Sequence, residues 1–239
     1  MDEQKKKETP VKEKPKLSRE EKKRRRRRQV WIQRIVVGLV LMTVLLGACI
    51  FLKILMAPKT INTDFGQVEQ PVIDVQLLTV NEYSRPGIAT DPIEGIVIHY
   101  TANPGSTAQQ NRDYFENLKD THSAKVSSNF IVGLDGEIIQ CVPTSEMAYA
   151  SNSRNQDTVS IECCHPDDTG EFTEATYESV VRLTAFLCSK FNLTEESVIR
   201  HYDVTGKICP KYFVEHEDAW NTFKEDVGRI LKKSSQGEA

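Results

Sequence analysis

The most constraining feature of the chain is an uncharged apolar segment that follows a strongly basic one. Residues 35–52 form a run of 18 residues without Asp, Glu, Lys or Arg, and Trp31 stands just before Arg34 on the amino-terminal side of this run. About 20 apolar residues in a helix span the hydrocarbon core of a bilayer, and Trp is frequent at the membrane interface. The sequence therefore predicts one transmembrane helix over residues 30–56.

The net charge differs sharply between the two ends of the chain. Residues 1–34 carry 15 Lys or Arg and six Asp or Glu, a net of +9, whereas the remaining 205 residues carry a net of −12. Basic segments flank membrane spans on the cytoplasmic side, so residues 1–29 are predicted to be a basic cytoplasmic tail and the domain to be extracytoplasmic. The predicted location is the cell membrane, as a single-pass protein. The acidic remainder argues against a nucleic-acid partner.

Three other interpretations of the amino-terminal segment stay open. A cleaved signal peptide usually has shorter charged and apolar regions than this chain. The segment Leu46–Cys49 (LGAC) resembles the site at which bacterial lipoproteins carry a lipid, although the residues after it are also apolar. The basic cluster Lys22–Arg28, on its own, is typical of a nucleic-acid or nuclear-localisation patch, or of a contact with anionic lipid head groups.

The region after the apolar segment divides into a linker and one domain. Residues 57–80 contain two prolines among scattered polar residues and are predicted to be an extracytoplasmic linker. Within it, Val72–Val80 has the composition of a strand and could pack on the domain. The domain itself is predicted over residues 81–233, followed by a polar tail at 234–239.

Strand and helix patterns alternate along the predicted domain. Ile93–Tyr100 and Val159–Cys163 are short apolar runs typical of strands, and two further such runs flank Asp135-Gly136, a sequence typical of hairpin turns. A helix is expected after Ser106, its predicted cap, and two amphipathic helices further along the chain have apolar residues at every third or fourth position. These elements predict a single α/β domain with a central mixed β-sheet flanked by helices, preceded by the transmembrane helix.

Three side chains of the domain could together bind a metal ion. His99 and His201 each stand at the end of a predicted strand, and Cys209 follows in a segment, HYDVTGKICP, that is predicted to be a loop. Two imidazoles and one thiolate are a common ligand set for catalytic zinc, with a fourth position left for water. Lys207 would place a cation beside the metal, which suits hydrolysis of an amide. On spacing alone, ordinary histidines and a buried free cysteine stay possible.

The motifs around these residues resemble one enzyme family. GIVIHYTA (95–102), SSNFIVGLDGEI (127–138), SIECC (160–164) and HYDVTGKICP (201–210) occur in the order and spacing of the zinc-dependent N-acetylmuramoyl-L-alanine amidases of type 2, which are relatives of the peptidoglycan recognition proteins. The resemblance covers roughly residues 81–231. It implies an amidase domain with Zn2+ as cofactor and peptidoglycan as substrate.

The resemblance also implies roles for individual residues. His99, His201 and Cys209 match the family's zinc ligands, the last of which is Asp in some members, and Lys207 matches the lysine that stabilises the oxyanion. Glu162 matches the glutamate that activates the attacking water and passes its proton to the leaving amine. Its place in an apolar run agrees with this role, because a partly desolvated carboxylate near a metal can carry protons. The implied reaction is hydrolysis of the amide bond between N-acetylmuramic acid and L-alanine.

Some positions depart from the family pattern or need separate comment. Some relatives have a tyrosine where this chain has Ser128, which is too short to replace it, so catalysis would depend on Glu162. The family often has an aromatic residue followed by histidine near Tyr149, but here Ala150 stands in place of that histidine. Asp203 matches a frequent family residue and is predicted to be structural, orienting its loop.

Functions other than amide hydrolysis by a metal enzyme stay open on the sequence alone. A non-catalytic module of the same fold would bind peptidoglycan without cutting it. A thiol hydrolase would use Cys209 as nucleophile and would survive removal of metal. An adaptor that faces the cytoplasm would need only the basic tail.

The remaining histidines and cysteines carry weaker predictions. His122, His165 and His216 match no family position, fall in polar stretches and are predicted to be surface residues. The other cysteines of the domain permit up to two disulfides or free buried thiols, and the sequence does not pair them; they are Cys141, Cys163, Cys164 and Cys188.

Overall fold

The chain divides into two compact units, Met1–Ile61 and Asn62–Ala239. A computed structural model describes residues 19–56 of the first unit and residues 68–236 of the second. Parts of three predicted segments lie outside the described residues: 1–18 of the basic tail, 57–67 of the linker and 237–239 of the polar tail. The side chain of Cys49, the candidate for lipid attachment, also lies outside them.

The described part of the first unit is a single helix, α1 (Arg19–Met56). Among the residues that the structure describes, no helix has both the length and the apolar character needed to cross a membrane. The predicted transmembrane helix over 30–56 is therefore wrong, and so are the predicted membrane anchoring and the predicted single-pass location in the cell membrane.

Six strands form one sheet in the second unit. The strands are β1 (Asp74–Val75), β2 (Gly95–Tyr100), β3 (Phe130–Val132), β4 (Ile138–Gln140), β5 (Thr158–Cys163) and β6 (Val198–Arg200). Their order in the sheet is β1-β4-β3-β5-β2-β6. Only β3 and β4 pair in antiparallel fashion, and the other neighbours are parallel. The predicted single α/β domain with a central mixed sheet is confirmed.

Helices cover both faces of this sheet. They are α2 (Ala108–Thr121), α3 (Glu174–Phe191), α4 (His201–Thr205), α5 (Lys211–Glu215) and α6 (Glu217–Ser235). Successive residues of a strand point to opposite faces, and β3 shows this directly: Ile131 packs in the apolar cluster that contains Phe115 of α2, whereas Phe130 and Val132 pack in the cluster that contains residues of α3 and α6. One face therefore carries α2 and the other carries α3 and α6.

The second half of the predicted linker contacts this domain. It contains β1, which pairs with β4. Leu78 is 1% exposed and packs in the same apolar cluster as Phe115 and Ile139. Its backbone N–H donates to the carbonyl oxygen of Cys141 at 2.9 Å.

The start of α2 differs by one residue from the prediction. Thr107 rather than Ser106 caps the helix: its side chain accepts from the backbone N–H of Gln110, whose side chain accepts from the backbone N–H of Thr107. This reciprocal pair satisfies two N–H groups that lack partners inside the helix. Ser106 instead donates to the carbonyl oxygen of Asn103 at 2.7 Å, so it stabilises the turn before the helix.

The predicted hairpin is present, with shorter strands than the sequence indicates. β3 and β4 pair from Phe130 opposite Gln140 to Val132 opposite Ile138. The turn between them is closed by the N–H of Gly133, which donates to the carbonyl oxygen of Glu137 at 2.8 Å. Gly136 has φ of +84°, a conformation that glycine adopts without steric cost.

Arg200, at the end of β6, ties together the elements that surround it. Its guanidinium donates to the carboxylate of Asp203, to Glu217 at 2.6 Å and to the carbonyl oxygen of Phe213 at 3.0 Å. It also lies over the ring of Trp220, 5.3 Å from the ring centroid. This one side chain therefore holds α4, α5 and α6 to the edge strand.

Replacement of Arg200 by Met is expected to lower the free energy of unfolding by about 3 kcal/mol, because it leaves a carboxylate and a buried carbonyl group without their partner. Urea unfolding of the full chain measures the change. The matched control is Arg182→Met, which removes an exposed ion pair with Glu178 and is expected to cost less than about 0.5 kcal/mol. Equal losses of unfolding free energy in the two variants would contradict the role of Arg200 in holding the helices to β6.

Candidate metal centre

Three potential metal ligands lie together where β2 and β6 end. His99 is in β2, His201 opens α4 directly after β6, and Cys209 lies in the segment between α4 and α5. These strands are parallel neighbours, so their carboxyl ends meet at the same edge of the sheet. The ligand atoms of the three buried residues all lie within 4.8 Å of one another. The structure thus brings together the three predicted ligands, in a set that could hold a metal ion.

The predicted loop HYDVTGKICP is partly helical. Its first five residues form α4, which ends at Gly206 with φ of +78°. The N–H of Tyr202 donates to the carbonyl oxygen of Cys209 at 2.9 Å. The helical turn and this bond fold the segment back on itself, which explains how Cys209 returns to His201.

Both imidazole rings are held through Nε2. Nε2 of His99 lies 3.2 Å from Oγ of Ser151, and Nε2 of His201 lies 2.8 Å from Oδ1 of Asn152. Because Oδ1 of an amide only accepts hydrogen bonds, His201 carries its proton on Nε2, which leaves Nδ1 with a lone pair. Nδ1 of His99 is 3.8 Å from Sγ of Cys209. Each ring thus has one nitrogen held by the protein and the other left for a metal, as is usual for ligating histidines.

The environment favours neutral imidazoles. Burial lowers the pKa of His99 well below its usual value, and the positive charges of His201 and Lys207 act in the same direction. Burial and Lys207 also lower the pKa of His201. The neutral ring is the form that binds a metal. Burial raises the pKa of the Cys209 thiol to about 12, so this thiol loses its proton only when a partner such as a metal ion replaces it.

Glu162 lies beside the three residues. It is directly opposite His99 in the pairing of β2 with β5, and its Oε1 is 3.9 Å from Nδ1 of His99. Its Oε2 is buried and has no hydrogen-bond partner in the part of the chain that the structure describes. Burial raises the pKa of this carboxyl group to about 8, although Lys207 acts to lower it. Such a group can accept a proton and give it back near neutral pH.

Lys207 is an exposed cation close to this buried group of residues. Within the described residues, no ion pair engages its ammonium group. It is two residues from Cys209 along the chain, and its charge acts to lower the pKa of Glu162, His99 and Cys209. A cation in this place can bind negative charge that develops at the site.

Two further residues singled out in the sequence are structural. Ser128 is buried, and its hydroxyl donates to the carbonyl oxygen of Ser160 at 3.0 Å. It is therefore not a free hydroxyl at the site. Asp203 accepts from the backbone N–H of Arg200 at 2.8 Å and pairs with its guanidinium. It fixes the turn that places His201, in agreement with its predicted role.

The remaining cysteines and histidines show one clear error of prediction. The five cysteines whose side chains the structure describes are all free and buried, including Cys163 and Cys164. His122 and His216 are exposed as predicted. The prediction of a surface position for His165 is wrong, because this residue is only 1% exposed. It follows β5 beneath its own loop, where Nδ1 lies 2.7 Å from the carbonyl oxygen of Asp167.

Sequence reasoning missed the two residues that hold the imidazoles, Ser151 and Asn152. They lie in a polar segment, next to a short 3₁₀ turn at Asn152–Arg154. Asn152 has φ of +53°, a left-handed conformation that asparagine adopts more readily than most residues. An asparagine in a polar turn is too common a pattern to indicate this contact, so no local signal could have identified it.

The fold and the site define an α/β domain with a buried centre of two histidines and one cysteine at the carboxyl ends of parallel strands. Residues 89–212 match a family model described as N-acetylmuramoyl-L-alanine amidase. The match covers just over half of the 239 residues, and the chain belongs to this family. The family resemblance inferred from the sequence motifs is confirmed.

Individual relatives agree with this assignment. The chain is 34% identical over 164 residues to the N-acetylmuramoyl-L-alanine amidase CwlL of Bacillus licheniformis, a match that covers 64% of this chain and 45% of CwlL. It is 30% identical over 184 residues to the N-acetylmuramoyl-L-alanine amidase BlyA of Bacillus subtilis, covering 66% and 48%. The chain therefore spans about half the length of the curated relatives it matches.

A solved structure shows the same fold. The catalytic domain of XlyA, from Bacillus subtilis, matches with a TM-score of 0.57 and 28% identity. The match covers 66% of this chain and 100% of that domain. The region of similarity thus corresponds to a complete domain in the solved structure.

Proposed function

We propose that the chain is a zinc-dependent N-acetylmuramoyl-L-alanine amidase whose catalytic domain is residues 81–233. Its substrate is peptidoglycan, and the bond cleaved is the amide between N-acetylmuramic acid and L-alanine. The observation that carries the proposal is the free, buried Oε2 of Glu162 beside three potential metal ligands whose ligand atoms lie within 4.8 Å of one another. Membership of the family supports the choice of this reaction.

The donor set fits a zinc ion. Zinc prefers nitrogen and sulfur ligands, and a set of three protein ligands with an open fourth position is typical of catalytic rather than structural sites. His99, His201 and Cys209 would hold the ion, while Ser151 and Asn152 fix the two rings. When bound, zinc supplies a Lewis acid that polarises the scissile carbonyl group and favours ionisation of water.

The residues around the ligands have separate tasks in this proposal. Glu162 takes the proton of the attacking water on Oε2 and delivers it to the nitrogen of the leaving amine. Lys207 binds the negative charge that develops on the carbonyl oxygen, because its ammonium lies close to the site and is not paired with a described residue.

The test of this function is digestion of purified peptidoglycan with the full chain, followed by mass spectrometry. We expect free stem peptides with a new amino-terminal L-alanine, loss of this release with a chelator, and its recovery with added zinc. No release by folded, zinc-loaded protein would overturn the amidase and favour a non-catalytic binding module. Release that persists with the chelator would overturn the metal mechanism and favour a thiol hydrolase that uses Cys209.

Replacement of Asn152 by Gly is expected to weaken zinc binding by about 10- to 100-fold, because it removes the acceptor that holds Nε2 of His201. Glycine tolerates the positive φ of this position, so the change tests the hydrogen bond rather than backbone strain. Competition with a chelating dye measures the affinity. Ser153→Gly, at the next and exposed residue, is the control and should bind zinc normally. Equal zinc affinities in the two variants would show that the hydrogen bond between His201 and Asn152 does not contribute to zinc binding.

A further inference from the structure

A group of rings holds the ammonium group of Lys125 just after α2. Nζ of Lys125 lies 5.7 Å from the ring centroid of Tyr83 and 6.0 Å from that of Tyr149. The ring of Tyr83 stacks on His122, with centroids 4.2 Å apart and an angle of 10° between the planes. We call these four residues the aromatic–lysine cluster. None of the described residues forms an ion pair or hydrogen bond with the Lys125 ammonium.

Backbone hydrogen bonds fix the segments that form this cluster. The N–H of Val126, next to Lys125, donates to the carbonyl oxygen of Tyr83 at 3.1 Å. Ser127 and Tyr149 are joined twice: the N–H of Ser127 donates to the carbonyl oxygen of Tyr149 at 3.1 Å, and the N–H of Tyr149 donates to Oγ of Ser127 at 3.0 Å. Three separate parts of the chain are thus held together, and two of them carry the tyrosine rings that the ammonium of the exposed Lys125 contacts.

The cluster lies close to the candidate metal centre along the chain. Tyr149 is two residues before Ser151, whose hydroxyl is 3.2 Å from Nε2 of His99. Two residues separate Cα atoms by at most about 7 Å, and an extended peptide advances about 3.3–3.6 Å per residue. The Cα atoms of Tyr149 and Ser151 are therefore at most about 7 Å apart, so the ring that the Lys125 ammonium contacts lies on the same segment that holds His99.

The chemistry of the cluster suits a carboxylate. Lysine side chains at a protein surface usually lose entropy when they bind an anion, but here the two rings already restrict the ammonium. Aromatic faces do not neutralise the cation, so it keeps its preference for an anionic partner. In the proposed substrate the carboxyl group of the muramic acid is used in the scissile amide. The free carboxylates near the scissile bond are therefore those of the stem peptide.

We propose that Lys125 binds a free carboxylate of the stem peptide, and that Tyr83 and Tyr149 position its ammonium group for this contact. The proposal rests on the proposed amidase function and extends it to substrate selection. In this proposal Lys125 determines substrate specificity and takes no part in the chemical reaction.

The test compares three synthetic N-acetylmuramoyl peptides of the same sequence. One is unmodified, one is amidated at the free carboxyl group of its second residue, and one is amidated at its carboxyl terminus. Binding to the zinc-loaded full chain is measured by isothermal titration calorimetry in the Glu162→Gln background. We expect Lys125→Met to raise Kd for the unmodified peptide about fivefold. For the peptide that lacks the contacted carboxylate, the same substitution should leave Kd unchanged.

Two further variants sharpen the comparison. Lys119→Met, in the last turn of α2, removes the same charge from a lysine that pairs with Glu116 and Asp120, and it should not change any of the three affinities. Tyr83→Leu should weaken binding of the same peptides as Lys125→Met, by a smaller factor, because it releases the ammonium without removing it. Thermal unfolding of each variant checks that the domain is folded.

The outcomes separate this proposal from the proposed function. An equal loss of affinity for all three peptides, or no loss for any of them, overturns the role of Lys125. Hydrolysis of the same peptides by the unsubstituted chain is measured in parallel. If that chain hydrolyses none of them, the amidase function fails, while the calorimetry still decides whether Lys125 binds a carboxylate.

Discussion

Replacement of Glu162 by Gln is expected to lower kcat for release of stem peptides by about 10²- to 10⁴-fold, the range for loss of a positioned proton carrier. The amide of glutamine has nearly the same shape as the carboxylate but cannot take a proton from water. Oε2 of Glu162 has no hydrogen-bond partner among the described residues, so the substitution breaks no known contact that stabilises the fold. The measurement is the rate of peptide release at saturating peptidoglycan.

The zinc content separates this effect from damage to the metal centre. Glu162 is not among the three potential ligands, and the variant is expected to retain one zinc per chain by elemental analysis. Glu178→Gln is the matched control, since it makes the same chemical change at an exposed position on α3 that pairs with Arg182. A fall in rate of less than about tenfold, with zinc retained, would show that another group carries the proton.

The positions of the candidate site residues were largely predictable because these residues are concentrated in short motifs. His99 and Glu162 lie in two strand-like runs, and the pairing of those strands places them opposite each other. Cys209 and Lys207 lie within one segment with His201, so their proximity follows from a few residues of chain. Strand ends and tight turns therefore account for the residues that the sequence analysis identified.

The contacts that support the ligands were not predictable in the same way. Ser151 is 52 residues from His99 along the chain, and Asn152 is 49 residues from His201. Such pairs form only when the loop before β5 folds over the sheet, and no local sequence pattern predicts where that loop lies. The burial of His165 was not predictable for a similar reason. Its polar neighbours suggest exposure, but the loop around it buries the ring.

The fold was predictable in type but less so at its boundaries. Alternating apolar runs and the Asp135-Gly136 turn indicated the mixed sheet, and the predicted cap of α2 was correct to within one residue. Thr107 rather than Ser106 is the cap because Gln110 completes the reciprocal hydrogen bonds with Thr107, whereas the hydroxyl of Ser106 donates to the carbonyl oxygen of Asn103. The apolar run in α1 was interpreted as a transmembrane helix, but no helix among the described residues is both long and apolar enough to cross a membrane.

Replacement of Cys209 gives the second large expected effect, and two variants have to be compared. Cys209→Ala is expected to weaken zinc binding by about 100-fold or more, because it removes one ligand from a site whose total binding energy is of the order of 10 kcal/mol. Cys209→Asp is expected to retain zinc and part of the activity, because a carboxylate oxygen is also a zinc ligand. Zinc affinity and peptide release are measured for both variants.

The comparison distinguishes a metal ligand from a nucleophile. Cys209 is 2% exposed and its Sγ lies 3.8 Å from His99, a contact that a ligand and a Cys–His nucleophile pair would share. A nucleophilic thiol cannot be replaced by either side chain, so a thiol hydrolase would lose activity in both variants and keep its zinc affinity unchanged. A ligand can be replaced by aspartate but not by alanine. Activity that follows zinc occupancy across the two variants would therefore assign Cys209 to the metal, and activity lost in both at full occupancy would assign it to attack on the substrate.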